Sequence, residues 1–194
     1  MQTTKNTAFK TQDAIQATEL WVEDTVIELN LCPFAKREFV KKRIRFMASN
    51  ATSERDLLND LETECNLLLK STSIETSLII HPNVLQDFYD YNQFLSLAEA
   101  LLRKLNIEGV LQIASFHPNY QFGGTEPDDA ENYSNRSPFP TLHLLREESL
   151  DNAIDNYPDV DDIPSNNIKR LNALGTEHMQ NRLMACLTPH NKES

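Results

Sequence analysis

The sequence predicts an α/β protein of one domain (residues 1–194), with a mixed sheet of about four strands flanked by helices. Short β-type runs alternate with longer stretches of helical periodicity, and the joints between them are short. A length of 194 residues suits one domain. Strand–helix–strand alternation is typical of right-handed crossovers onto parallel strands, so we expect three of the four strands to be parallel.

The first helix is predicted from Asp13 to about Leu29. Asp13 and Gln16 have the spacing of a capping box, and apolar residues recur at helical spacing after them. The helix should end near Cys32, because Pro33 disfavours the helical conformation of the residue before it. Residues 1–10 are polar, and we expect them to be frayed.

Two strands and a helix follow. Residues 43–48 alternate charged and apolar side chains, as a half-buried first strand does. Ser53 is placed to cap a second helix, whose leucine stripe extends to Leu69. Residues 76–80 are a short apolar run and predict the second strand, which His81 and the proline after it terminate.

A third helix is predicted from about Gln86 to Leu105, and a third strand over residues 110–116. Residues 141–146 are either a fourth strand or the start of a helix; we favour the strand, although so short a run does not decide between them. An acidic joint then precedes a final amphipathic helix over residues 166–187.

Composition narrows the class of protein. The net charge of −11 argues against a nucleic-acid partner, which requires a basic surface. Residues 36–45 hold six of the basic residues and one acid, and this segment either steers an anion or is the solvated flank of a strand. Because the sequence contains no charged-then-apolar leader and no long apolar run, we expect a cytoplasmic protein without a membrane partner.

The segment from His117 to Pro140 is the predicted functional loop. It is long and has no apolar period, yet it carries aromatic residues, paired glycines and many hydrogen-bonding groups. Loops of this length in compact domains are usually functional or disordered, and the aromatic residues favour an ordered loop.

Two histidines are placed to share a site with this loop. His81 follows the second strand and His117 the third, so both occupy the carboxyl ends of strands, where open α/β sheets bind ligands. If those strands are neighbours, the two imidazoles converge. They would serve as acid–base groups together with Asp128, or with Asp129 as ligands of a divalent transition metal. The sequence does not decide whether a cofactor is present.

Other loop residues are candidates for substrate binding. Arg136 offers a guanidinium fork for a carboxylate or phosphate and is also counted among the catalytic candidates. Asn135, Ser137 and Tyr120 would contribute hydrogen bonds, and His143 would join them if strand pairing allows. The alternative is that these polar groups stabilise the loop through hydrogen bonds to its own backbone.

The role of Cys32 stays open. It lies at the predicted end of the first helix, where the negative end of the helix dipole raises the pKa of a thiol, although Lys36 and Arg37 oppose that effect. Core packing, metal ligation and nucleophilic catalysis all remain alternatives.

Four segments together resemble a family. They are residues 30–34 (NLCPF), His81 with its proline, residues 116–122 (FHPNYQF) and residues 135–148 (NRSPFPTLHLLREE). With these motifs the chain resembles the bacterial domain-of-unknown-function family numbered 1415, from about residue 15 to residue 187. The resemblance implies a bacterial cytoplasmic protein and supplies no catalytic assignment.

The sequence therefore supports two hypotheses of function. The leading hypothesis is a small cytoplasmic enzyme that acts on a small polar, anionic substrate at the carboxyl edge of the sheet through paired histidines. The alternative is a non-catalytic binding protein whose 117–140 loop is a docking surface for a partner.

Overall fold

The computed structural model describes residues 11–188. The predicted fraying of residues 1–10 lies outside the described residues. The first helical region comprises α1 (Thr11–Trp21) and a π-helical continuation (Val22–Ile27), close to the predicted bounds. A short helix that the sequence did not predict, α2 (Ala35–Val40), follows the turn that contains Cys32.

The predicted strands and the helices between them are present. In chain order they are β1 (Ile44–Ala48), α3 (Glu54–Lys70), β2 (Thr76–Ile80), α4 (Phe88–Lys104), β3 (Leu111–Phe116) and β4 (Thr141–Arg146). The Ser53 hydroxyl caps α3 by accepting a hydrogen bond from the Asp56 amide, as the sequence predicts. Residues 141–146 are a strand, so the preferred alternative for this run is confirmed.

The carboxyl-terminal part is more divided than expected. A helix α5 (Glu147–Asp155) follows β4 directly, and a 3-10 turn (Val160–Asp162) leads into α6 (Ile163–Leu174). Gly175, at φ 82°, then separates α6 from α7 (Thr176–Leu187), so the single helix predicted for residues 166–187 is two helices. Glycine adopts this left-handed conformation without steric cost, which is why the break falls there.

The four strands form one mixed sheet in the order β1-β2-β4-β3. Only β1 and β2 pair in parallel; β4 lies between β2 and β3 and is antiparallel to both. The prediction of three parallel strands is therefore not confirmed. The long 117–140 connection allows the chain to return and insert β4 into the centre of the sheet, and periodicity does not encode that order.

Helices pack on both faces of the sheet. Helices α3 and α4 cover one face, where Leu57, Phe94, Ile79, Leu142 and Leu144 belong to the largest buried cluster. On the other face, α1 and α7 contribute residues such as Ala14, Trp21 and Cys186 to smaller clusters with β2. No helix within residues 11–188 is long and apolar enough to cross a membrane.

Candidate functional site

His81 and His117 stabilise the same turn. Each follows the last residue of its strand, and each side chain is fully buried. His81 donates from Nδ1 to the carbonyl oxygen of Val84 at 3.1 Å, and His117 donates from Nε2 to the next carbonyl, that of Leu85, at 3.2 Å. Because a carbonyl oxygen only accepts, these contacts fix which ring nitrogen carries the proton in each neutral imidazole.

The His81 and His117 rings both pack against Tyr91 on α4, although β4 lies between their two strands. The Tyr91 ring lies 5.7 Å from the His81 ring and 5.1 Å from the His117 ring, measured between centroids. A buried tyrosine thus lies against both histidine rings, and the convergence of the two imidazoles on one ligand stays a prediction. The condition stated for their convergence, that β2 and β3 are neighbours, is wrong.

The turn between β2 and α4 is strained. Leu85 has φ 57°, a left-handed conformation that a bulky residue rarely adopts. Gln86 adds a hydrogen bond from Nε2 to the carbonyl oxygen of Val84 at 3.2 Å. Residues 82–87, hereafter the 82–87 turn, are thus held in an unfavourable conformation by His81, His117 and Gln86.

One ring nitrogen at this place has no partner. Nε2 of His81 is buried and has no hydrogen-bond partner within residues 11–188. Burial is the main cause that lowers the pKa of His81 to about 4; the hydrogen bond to Val84 opposes it and the neighbouring His117 adds to it. The imidazole is therefore neutral at pH 7, and its Nε2 lone pair is available as an acceptor.

His117 is fully engaged. Its Nδ1 accepts a hydrogen bond from the Asn119 amide at 3.0 Å, while Nε2 donates to Leu85. Burial lowers the pKa of His117 as well, opposed by the hydrogen bond to Leu85 and by the charge of Asp87. With both nitrogens occupied, His117 would have to give up a contact to bind a ligand or a metal.

The 117–140 loop folds around Asn132, which is fully buried. Its Oδ1 accepts hydrogen bonds from the Phe122 amide at 3.0 Å and the Thr125 hydroxyl at 2.8 Å, and its Nδ2 donates to the Glu126 carbonyl at 2.8 Å. One asparagine therefore closes the eleven residues 122–132 of the loop. These contacts are local to the loop, and the order predicted from its aromatic content stays a prediction.

Arg136 also bonds within the loop. Its Nε donates to the Tyr120 carbonyl at 3.0 Å and its Nη2 to the Pro127 carbonyl at 2.7 Å, while the guanidinium lies over the Tyr133 ring at 4.6 Å. These contacts fit the loop-stabilising alternative for Arg136. Its role as an anion clamp stays a prediction.

The remaining polar candidates of the loop make similar contacts. Asn135 donates to the Ser115 carbonyl at 3.1 Å, and Ser137 donates to the Phe139 carbonyl at 2.6 Å. A carboxylate oxygen of Asp129 accepts from the Glu126 amide at 2.8 Å. The exposed Asp128 contacts α7 through its backbone carbonyl, which accepts from the Thr176 hydroxyl.

His143 lies on the other face of the sheet. Leu142 and Leu144 point towards α3 and α4, so His143 between them points away from the His81 and His117 rings. Its Nε2 lies 2.6 Å from the Thr76 hydroxyl, which itself donates to the Leu144 carbonyl. His143 is therefore separate from the carboxyl-edge cluster, and burial lowers its pKa to about 4.

The described residues do not supply a metal-binding group. Within residues 11–188 no three His, Cys, Asp or Glu side chains lie close enough together to hold a metal ion. The donor set proposed from the sequence was His81, His117 and Asp129. Asp129 is instead engaged with the Glu126 amide and His117 with the 82–87 turn.

Three of the six basic residues in this segment, all of them arginines, form ion pairs. Arg37 and Arg43 contact Glu38, and Arg45 forms a two-fold contact with Glu64. This pairing favours the second interpretation of residues 36–45, the flank of a strand, over anion steering.

Cys32 lies in the turn that precedes α2, whereas the sequence placed it only at the end of the first helix. The amides of Phe34 and Ala35 point at its sulfur and lower the thiol pKa, but burial has the larger effect and raises it. Sequence reasoning also missed Tyr91 and the strain at Leu85. Tyr91 lies within the apolar period of α4, so it had no distinguishing signal.

The chain is a mixed α/β protein in which His81, Tyr91 and His117 pack together at the carboxyl edge of the sheet. Its family follows from its sequence. The family model described as a protein of unknown function (DUF1415) matches residues 13–181, and the chain belongs to that family. No curated protein and no solved structure matches the chain significantly.

Proposed function

We propose that the protein is an enzyme that acts on a small polar molecule at the carboxyl edge of its sheet, with His81 as the acid–base group. The observation that supports this most directly is the buried, unpartnered Nε2 of His81. Leaving such an atom unsatisfied costs about 1–3 kcal/mol. In native proteins such atoms call for an explanation, such as a bound water or a catalytic role.

The tautomer of His81 suits a base. The Val84 carbonyl holds the proton on Nδ1, which leaves the Nε2 lone pair to accept a proton from an O–H or N–H group of a substrate. The lowered pKa keeps that lone pair unprotonated at neutral pH. A base oriented by a second group is the usual arrangement of catalytic histidines.

Access to His81 requires a movement, and the 82–87 turn is the element suited to it. The left-handed conformation of Leu85 costs on the order of 1 kcal/mol, so the closed turn already stores some of the free energy of opening. Release of the hydrogen bond from His117 to Leu85 would let the turn move and expose the His81 ring, while the hydrogen bond from His81 to Val84 keeps the proton on Nδ1. His117 serves here as a positioning residue for the turn.

Nuclear magnetic resonance of the histidine ring nitrogens tests the proposal. A panel of small carboxylates, phosphate monoesters, amides and alcohols is titrated into protein labelled with ¹⁵N, and the Nε2 resonance of His81 is followed. We expect at least one class to shift it. The backbone amide resonances of residues 83–87 report the same binding. A His81→Asn variant, which keeps a donor near the Nδ1 position for Val84 and removes Nε2, should lose the response of those amides.

The control is His178→Asn, which removes an exposed imidazole on α7. It should respond to the panel like the wild type. Two results together would remove the enzymatic interpretation. One is that no compound class shifts the Nε2 resonance of His81, and the other is a crystal structure in which only an ordered water contacts Nε2.

The docking alternative has one observation in its favour. Tyr89 is 70% exposed at the start of α4, next to Phe88, whose ring lies 5.1 Å from that of Tyr120. Tyr120 in turn contacts Phe122 at 4.9 Å, so aromatic residues of α4 and the loop adjoin. A docking role predicts that Tyr89→Ser abolishes partner binding while His81→Asn does not.

A further inference from the structure

A cleft separate from the histidine cluster lies beside α6. Its volume is about 480 Å³, within the range of small-molecule pockets. One side is the turn after the first helical region, at Asn30 and Pro33, and the other is formed by Tyr157 and residues of α6. Of the sequence motifs, only residues 30–34 contribute to this cleft, through Asn30 and Pro33.

The charge of the lining differs from that of the chain. Two adjacent cations on α6, Lys169 and Arg170, line the cleft, and none of its lining residues is acidic. The protein as a whole has 29 acidic and 18 basic residues. The acidic residues nearest in sequence, among them Asp159 and Asp162, are exposed and do not line the cleft.

The polar groups of the cleft are partly fixed and partly available. Arg170 donates to the Leu29 carbonyl, and Asn167 donates from Nδ2 to the Leu31 carbonyl at 2.8 Å. These bonds anchor α6 on the last carbonyls of the first helical region. The side chains of Asn30, Asn166 and Lys169 have no hydrogen-bond or ion-pair partner among the residues the structure describes.

The apolar part of the lining, hereafter the apolar wall, consists of Pro33, Ile163, Leu174 and the ring of Tyr157. That ring is held edge-on against Phe34, with 5.5 Å between centroids. A ligand for this cleft therefore needs an anionic head for the cations and the amide groups, and an apolar or ring-shaped body for this wall.

We propose that the cleft between the Asn30–Pro33 turn and α6 binds a small organic anion, with a carboxylate or phosphate head at Lys169 and Arg170 and an apolar body against Tyr157. The site is independent of the carboxyl-edge function.

The test titrates the full chain with phenyl phosphate, benzoate, inorganic phosphate and the neutral benzyl alcohol. Binding is followed by the side-chain amide resonances of Asn30, Asn166 and Asn167. We expect saturable shifts with phenyl phosphate or benzoate, and the tighter of the two identifies the head group. Inorganic phosphate and benzyl alcohol should each bind more weakly, because each satisfies only one wall.

Matched variants locate the interaction. Lys169→Gln should weaken binding about fivefold, as loss of one charge-assisted contact does. Lys104→Gln removes the same charge from an exposed position on α4 and should change binding little. Ala173→Phe, at an exposed position in the lining, should block the cleft and abolish the shifts.

Three results would overturn the proposal. The first is that neither aryl anion shifts the three amides saturably in the millimolar range. The second is equal weakening by Lys104→Gln and Lys169→Gln, which would mean that the ligand responds only to overall charge. The third is a folded Ala173→Phe variant that binds like the wild type; if that variant does not fold, the lysine pair still decides.

Discussion

The hydroxyl group of Tyr91 donates a hydrogen bond to the carbonyl oxygen of Thr141 at 2.8 Å. The same hydroxyl accepts a hydrogen bond from the Phe116 amide at 3.1 Å. Thr141 and Phe116 are register partners at the end of the β4–β3 pair, so a side chain from α4 bridges two strands at the edge where His81 and His117 lie. The helix, the sheet and the candidate site are thereby coupled through one phenol.

Removal of that hydroxyl should destabilise the fold. Tyr91→Phe keeps the ring between the histidines but leaves a buried amide and a buried carbonyl without this partner, which costs about 1–3 kcal/mol. Urea denaturation measures the change in the free energy of unfolding. Tyr89→Phe is the control, since that residue is 70% exposed and its hydroxyl should contribute nothing measurable. Equal stability of the two variants would contradict the bridging role.

A second prediction concerns the buried carboxylate of Glu64. It is 3% exposed and accepts hydrogen bonds from Arg45 at 2.9 and 3.1 Å and from the Ser77 hydroxyl at 2.7 Å. Arg45→Met leaves this charge without its cation and should destabilise by about 3 kcal/mol. Adding Glu64→Leu should recover part of that loss, because the uncompensated charge is then gone.

The control for this pair is Arg103→Met. Arg103 and Glu108 form an exposed ion pair, with side chains 52% and 65% accessible and a separation of 3.8 Å. Exposed pairs contribute about 0–1 kcal/mol, so this variant should be nearly neutral. If Arg45→Met changes stability as little as Arg103→Met does, water or another group solvates the Glu64 carboxylate, and the Arg45–Glu64 pair does not stabilise the fold.

The sequence predicts a structural feature well when that feature depends only on residues close together in the chain. The strand at residues 76–80 and the Ser53 cap depend on neighbouring residues only, and both were predicted at their observed positions. Helix α2 is short and charge-rich, so it has no apolar period to detect. The insertion of β4 between β2 and β3 depends on how a long loop returns, which no local pattern specifies.

The site divides in the same way. The position of His81 and His117 at strand ends followed from the strand assignments. Their hydrogen bonds to the successive carbonyls of Val84 and Leu85 depend on the left-handed backbone conformation of Leu85. A leucine rarely adopts that conformation, so the sequence does not predict it. Likewise, the sequence predicts an anion clamp at Arg136, but its hydrogen bonds to the carbonyls of Tyr120 and Pro127 depend on how the loop folds and have no local signal.

A third prediction concerns the three thiols. Burial raises the pKa of Cys32, and it raises that of Cys65 to about 12 and that of Cys186 to about 11, with nearby acids adding to both. Since the thiolate is the reactive form, all three should alkylate with iodoacetamide at pH 7.5 more slowly than free cysteine. Mass spectrometry of timed digests measures each rate. Rapid alkylation at Cys32 would instead support the nucleophile alternative that the sequence left open.

A fourth prediction is a pH dependence of stability. Burial lowers the pKa of His81 and of His143 to about 4, below the value near 6.5 of an unfolded histidine. Between these values the unfolded chain binds more protons than the folded chain, so the free energy of unfolding falls as the pH falls from about 6.5 to 4. Each histidine contributes a slope of up to about 1.4 kcal/mol per pH unit.

Two variants separate this contribution from that of the carboxylates. His143→Gln retains a donor near the Nε2 position for Thr76, and His81→Asn retains one near Nδ1 for Val84, so each removes a titrating ring while keeping its hydrogen bond. Urea denaturation at a series of pH values from 4.5 to 7 should give a shallower slope for each variant than for the wild type. His178→Asn controls for the loss of an exposed imidazole. An unchanged slope for His81→Asn would mean that the pKa of His81 is the same in the folded as in the unfolded protein, and the ring would then be solvated rather than buried with an unpartnered Nε2.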